Sequence, residues 1–172
     1  ILDIKKNNGK FLITTNDREI TADILVNCAG SWANNICNFL DLPLNVKSVP
    51  QQMIVTEPAK YELKLLIAHI GRHLTLKQAQ NGNYIIGGGW TAGYSNLTKH
   101  IHSKKDSFEG NAWIAKKVIP KLSNANILRT WAAMSVDVGG YPLLGEHPNM
   151  KNFYVVVSQN GYTLGPILGD LV

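Results

Sequence analysis

Near the carboxyl end, Ser158, Gln159, Asn160 and Gly161 separate one apolar run, Phe153 to Val157, from another, Thr163 to Val172. The first run is rich in β-branched residues and too short for a helix, whereas the second has a helical apolar pattern. The stretch therefore predicts a strand, a glycine turn and a helix start, with Pro166 in the first helical turn. Such a turn gathers unpaired backbone N–H groups at one spot, where they hold an anion or a polarised carbonyl. An ordinary strand-to-helix connection fits the same residues. A second turn of this kind, Asn27-Cys28-Ala29-Gly30, follows the apolar run Ile24 to Val26. It precedes a helix that Ser31 is placed to cap, with Trp32, Ile36 and Phe39 or Leu40 on one face. Small residues there let a ligand approach the backbone closely.

Few side chains add chemistry to these turns. His69, Arg72 and His73 stand where a middle sheet should begin, and a histidine there either meets a substrate or is structural. Trp90 and Tyr94 wall a cavity or fill a core. His100 and His102 alternate along a strand, but they lack a third ligand and have lysines around them, so no metal site is expected. Ser31 and Ser135 show no nucleophile elbow, which argues against a hydrolase.

The composition bounds the rest. A chain of 172 residues that is 45% hydrophobic and 17% charged is globular and long enough for a substantial core. No run of about 18 apolar residues predicts a membrane span, and the first residues, ILDIKKNNGK, have no signal-peptide core. Net charge is +5, yet the 17 Lys and Arg are scattered, with small clusters at Lys99 to Lys105 and at Lys116, Lys117 and Lys121. That dispersion reads as solvated surface and predicts no nucleic-acid partner. The two cysteines, Cys28 and Cys37, make neither a framework nor a metal spacing, so reduced thiols and a cytoplasmic location are expected.

The elements that must position the turns follow from local patterns. Asn8-Gly9 lies between Leu2 to Lys6 and Lys10 to Thr15, the pattern of a two-residue hairpin, and Asn16-Asp17 forms another turn. Val46 to Thr56 reads as a strand interrupted at Pro50. Asn81-Gly82 between Leu74 to Gln78 and Asn83 to Gly88 predicts a second hairpin in a larger antiparallel sheet. From Asp106, an acidic cap with Glu109 three residues on, the positions Phe108, Ala112, Ala115, Val118 and Leu122 predict an amphipathic helix over that sheet. Asp41 to Asn45 and Ser95 to Lys105 read as linkers. The fold class is mixed α/β (α+β), with an antiparallel-rich sheet and helices on one face.

Four blocks in order, ITADILVNCAGSWA, NGNYIIGGGW, RTWAAMSVDVGGYPLLGE and FYVVVSQNGYTLGPILG, resemble the carboxyl-terminal half of the FAD-dependent amine and amino-acid oxidoreductases. That family includes glycine oxidase, sarcosine oxidase and D-amino-acid dehydrogenase. LTLKQAQNGNYIIGGG and NGYTLGP are most similar to the dehydrogenases that act as subunits of larger complexes. The resemblance implies FAD as cofactor in the full-length protein and a small amino-acid or amine substrate, with a partner subunit or self-association. It implies a partial FAD-binding domain at 1–40 and 132–172, lacking its first βαβ unit, and a substrate domain at 41–131.

By the same resemblance, Ala29, Gly30 and Trp32 match the turn near the adenosine and pyrophosphate. Asn160, Gly161, Tyr162, Thr163 and Leu164 match the turn facing the flavin ring and ribityl chain. Arg72, His73, Tyr94 and Met134 are the substrate-site candidates, and Arg129 with Trp131 matches an R-x-W element that pairs and packs. Two departures stand out. The family's G-x-G-x-x-G unit is absent, since Gly87-Gly88-Gly89 lies in a hairpin strand and opens no helix, so the chain resembles a fragment. Met134 and Gly139 stand where many members carry a carboxylate-binding arginine and an acidic residue. The expected function is oxidation of a CH–NH bond to an imine; the alternative is a non-catalytic binding or scaffold subunit that keeps the fold.

Overall fold

The computed structural model describes residues 1–172. Its elements run β1 (Asp3–Asn7), β2 (Lys10–Thr14), β3 (Glu19–Ala22), β4 (Leu25–Asn27), α1 (Ala33–Asn38) and β5 (Lys47–Pro58). They continue as β6 (Ile67–His69), β7 (Leu74–Gln78), β8 (Asn83–Gly87), β9 (Gly93–Tyr94), β10 (Ile101–His102) and α2 (Lys105–Val118). The last are β11 (Ile127–Asp137), β12 (Leu143–Glu146), β13 (Phe153–Val157) and α3 (Gly161–Asp170). Antiparallel pairing dominates, and the fold is mixed α/β. No helix is long and apolar enough to cross a membrane.

Contacts divide the chain into two units, Ile1–Val49 with Ser135–Val172, and Pro50–Met134. The divisions fall after the expected 40 and 131. The reason at the first is packing: the stretch read as a linker buries Leu42, and Val46 just beyond it, in the first unit's core. The second expected linker also carries structure, because Ser95 N–H donates to His100 O at 2.9 Å beside the β9–β10 pair.

The first unit holds two three-stranded sheets, β1-β2-β3 and β12-β13-β4. In the first sheet Asn7 pairs with Lys10, and Asn8 (φ 50°) and Gly9 (φ 82°) make the two-residue turn. In the second, β12 is antiparallel to β13, while β13 and β4 run parallel with Phe153 opposite Leu25 and Val155 opposite Asn27. Phe11 and Phe153 sit fully buried with ring centroids 6.2 Å apart, joined in the core by Ile4, Cys37 and Val157.

The second unit is a five-stranded sheet ordered β11-β5-β8-β7-β6. The pattern LTLKQ buries Leu74 and Leu76 on one face, and β8 adds Tyr84 and Ile86. Ile114 and Ala115 of α2 close over them. Gln52 of β5 fixes the start of α2, its Oε1 accepting from Lys104 N–H at 2.7 Å and its Nε2 donating to Lys104 O at 3.2 Å.

Three local expectations need correction. Ser31 does not cap α1: a 3₁₀ turn over Gly30–Trp32 leads into the helix, the N-cap position is Trp32, and it makes no side-chain cap. Trp32 turns outward at 57% exposure, whereas Ile36, Phe39 and Leu40 pack against the core beside the buried Ala33 and Cys37. Asp106 is likewise not a cap but lies inside the first turn of α2, whose N-cap is Lys104. Pro166 lies inside α3 beyond its first turn, because the helix begins at Gly161.

Two turn glycines give the prediction from this packing. A methyl group added at Gly9 would meet open space, whereas at Gly82 (φ 95°) an added Cβ would meet Ala59 O at 2.1 Å. Gly9→Ala should therefore cost only the left-handed strain of about 1 kcal/mol. Gly82→Ala should cost roughly 3 kcal/mol or more because backbone must move. Urea unfolding of both variants measures the difference, and equal losses would contradict the packing described.

Candidate functional site

Parallel pairing of β13 with β4 brings the ends of both strands to one side. The turns that follow them, from Asn27 to Gly30 and from Ser158 to Gly161, therefore open side by side. They border a cleft of about 580 Å³ whose walls include Val26, Cys28, Gly30, Ser158, Gly161 and Gly165. No acidic side chain lines it. A ligand site at the carboxyl ends of parallel strands is the general expectation for this arrangement.

The first turn is organised by Asn27, which is 2% exposed. Its Nδ2 donates to Ala33 O at 2.9 Å, and its Oδ1 accepts from Ala29 N–H at 3.2 Å. One side chain thus ties the strand end to both the turn and α1. Gly30 adopts φ 54°, a conformation that costs a residue with a Cβ. Burial pushes the Cys37 thiol up, with the Asn27 amide 3.5 Å from Sγ opposing it, so Cys37 stays a neutral packing group. Cys28, by contrast, is exposed.

In the second turn, Ser158 Oγ accepts from Asn160 N–H at 3.1 Å. Asn160 O then accepts from Thr163 N–H at 3.0 Å and Leu164 N–H at 2.9 Å. Asn160 offers no side-chain cap, so the N–H groups of Gly161 and Tyr162 remain open at the positive end of α3. Backbone donors, glycines and the absence of a carboxylate suit the phosphate and polarised ring of a dinucleotide. Gly30 and Gly161 line the same cleft, while Trp32 and Tyr162 expose their rings at its two turns.

The four other candidates lie in the second unit and are not one cluster. Glu57 N–H donates to Asn126 O at 2.9 Å and Thr130 Oγ1 to Met53 O at 2.7 Å, so β11 runs antiparallel to β5 and Met134, in its second half, lies toward Pro50. Ala92 N–H donates to Pro50 O at 2.9 Å, which brings Tyr94 toward the same end. Arg72 and His73 occupy the turn between β6 and β7, near the opposite edge of the sheet. At about 4.8 Å per strand, three to four spacings, roughly 14 to 19 Å, separate them from Met134. Arg72 instead stacks on Trp113 of α2, 5.4 Å from the ring centroid. Arg129 similarly lies 5.4 Å from the Trp131 ring on β11. In the glycine block, Gly139 N–H donates to Asp137 Oδ1 at 2.9 Å, so the carboxylate of this stretch serves its own turn.

The whole chain, residues 1–172, matches the family model described as FAD dependent oxidoreductase. The chain belongs to that family. Family members are FAD-dependent. Glycine oxidase of Geobacillus kaustophilus is 25% identical over 180 residues, covering 100% of this chain and 45% of that protein. Sarcosine oxidase subunit beta of Rhizobium meliloti is 24% identical over 154 residues, covering 88% of this chain and 36% of the relative. Among solved structures, L-proline dehydrogenase from P. horikoshii superposes with TM-score 0.87 at 23% identity, covering 97% of this chain and 46% of the other. The chain thus spans less than half the length of these relatives.

Sequence reasoning misses Asn27 as the organiser of this family member's first turn. Its only signal is an amide directly after an apolar strand and before small residues. Asn27→Ala would leave Ala29 N–H and Ala33 O without their partner, at a cost of about 1–3 kcal/mol. Urea titration should show a lower midpoint with an unchanged slope. An unchanged midpoint would mean that the turn holds without the amide.

Proposed function

We propose that the intact protein oxidises the CH–NH bond of an amino acid or secondary amine to an imine, with FAD bound to its first unit. The observation that carries this reading is the side-by-side opening of the two glycine turns, with open N–H groups at Gly161 and Tyr162 in a cleft without acidic side chains. Ala29, Gly30 and Trp32 would hold the adenosine and pyrophosphate side. Asn160 to Leu164 would hold the flavin side, where the helix-start N–H groups stabilise negative charge. FAD, when bound, supplies the two-electron acceptor for the oxidation.

The first unit is then the carboxyl-terminal part of the FAD-binding domain, and the second is the substrate domain. The rest of the protein would cover the apolar surface at Ile24, Val26 and Leu171, which are 57%, 44% and 64% exposed. Without that part the 172-residue chain should not retain flavin. The relatives named glycine oxidase and sarcosine oxidase subunit beta support a small amine substrate, and the second name supports a partner subunit.

Met134 sets the substrate preference in this reading. A thioether forms no ion pair with a carboxylate, and Arg72 stands too far across the sheet to substitute for an arginine at this position. Secondary amines whose carboxylate is held elsewhere, or amines without one, are the preferred class. Anaerobic mixing of the intact protein with glycine, sarcosine and L-proline should bleach the flavin with at least one. Met134→Arg should lower KM for the carboxylate substrates by roughly tenfold. Retained flavin that no amine bleaches would overturn the catalytic reading in favour of a binding or scaffold subunit.

A further inference from the structure

On the face of the five-stranded sheet that carries α2, the turn after β6 and the second half of α2 enclose an open pocket of about 410 Å³. Its walls are His69, Arg72, Trp113, Ile114, Lys117 and Val118. It belongs to the second unit, whereas the glycine cleft belongs wholly to the first.

The charges around this pocket are unbalanced. Glu109, one helical turn before Trp113, pairs with Lys105 at 3.7 Å, and Glu62 pairs with Lys121 at 3.0 Å. Those carboxylates are engaged elsewhere. Arg72 and Lys117 make no salt bridge within the unit. The guanidinium carbon of Arg72 lies 5.4 Å from the Trp113 ring centroid, so stacking orients the fork while its N–H donors remain available. The Trp113 ring itself is 42% exposed. Lys117 stands in the last turn of α2, where the carbonyl pole favours a cation, whereas the Trp113 ring is what holds Arg72.

We infer that this pocket binds an organic oxyanion, a phosphate or carboxylate carried on a planar body. The Arg72 fork takes two oxygens of the anion, Lys117 adds the second positive charge, and the body rests beside Trp113 and Ile114. His69 contributes a ring nitrogen at the rim.

The test is isothermal titration of the intact, FAD-loaded protein with phenyl phosphate, benzoate and, as the neutral counterpart, benzyl alcohol. At least one anion should bind with measurable heat and the alcohol should not; the tighter anion identifies phosphate or carboxylate as the headgroup. Arg72→Ala and Lys117→Ala should each weaken that anion by about tenfold. Arg72→Lys should give an intermediate loss, because it keeps the charge without the fork. Lys116→Ala, a neighbouring lysine outside the pocket wall, should change nothing. The proposal is overturned if neither anion binds, if benzyl alcohol binds as well as the anions, or if affinity is the same in Arg72→Ala and Lys117→Ala as in the unaltered protein. All the altered side chains are exposed, and a matching far-UV spectrum separates lost binding from lost folding.

Discussion

The parallel pairing of β13 with β4 is the constraint from which the candidate site follows. Antiparallel neighbours would send their following turns to opposite ends of the sheet, and each turn would then be an ordinary connection. Parallel neighbours put both turns at one end. Hydrogen bonds between Leu25 to Asn27 and Phe153 to Val155 thus place Gly30 beside Gly161, although 131 positions of sequence separate them. The buried packing of Phe153, Val155 and Val157 against Phe11 and Cys37 fixes that register, because a one-residue slip would turn these side chains out of the core.

The second unit is organised by a different requirement. Its sheet is antiparallel, and α2 buries Leu74, Leu76, Tyr84 and Ile86 from one side. Long strands whose ends meet at one margin spread the polar residues of that margin over several strand spacings, so Met134 and Arg72 share an end of the sheet without sharing a site. Met134 lies on β11 at one side of the sheet, whereas Arg72 sits over the Trp113 indole on the helix-covered face.

Much of this arrangement was legible in the sequence where local chemistry decides it. Asn8-Gly9 can turn a chain in two residues because both accept positive φ, and the alternation in LTLKQ separates buried Leu74, Leu76 and Gln78 from the positions between them. Helix starts were less legible. Ser31 and Asp106 have the right side chains for capping, but the backbone enters both helices earlier, at Gly30 and Lys105, so neither reaches a cap position. Leu42 looked like part of a connection because burial against a distant core leaves no local signature. The stacking of Arg72 on Trp113 was hidden for the same reason, since 41 positions separate the two residues.

The central claim is that the paired turns of the first unit hold FAD, and Cys28 reports on it directly. Its thiol is exposed and lines the cleft beside Gly30 and Gly161, whereas Cys37 is buried and its thiol is pushed up by that burial. Alkylation by iodoacetamide, followed at each cysteine by peptide mass spectrometry, compares the intact protein with FAD bound and with FAD removed. The account predicts that bound FAD slows the reaction at Cys28 and leaves Cys37 slow in both states. An alkylation rate at Cys28 that is the same with and without FAD would contradict it.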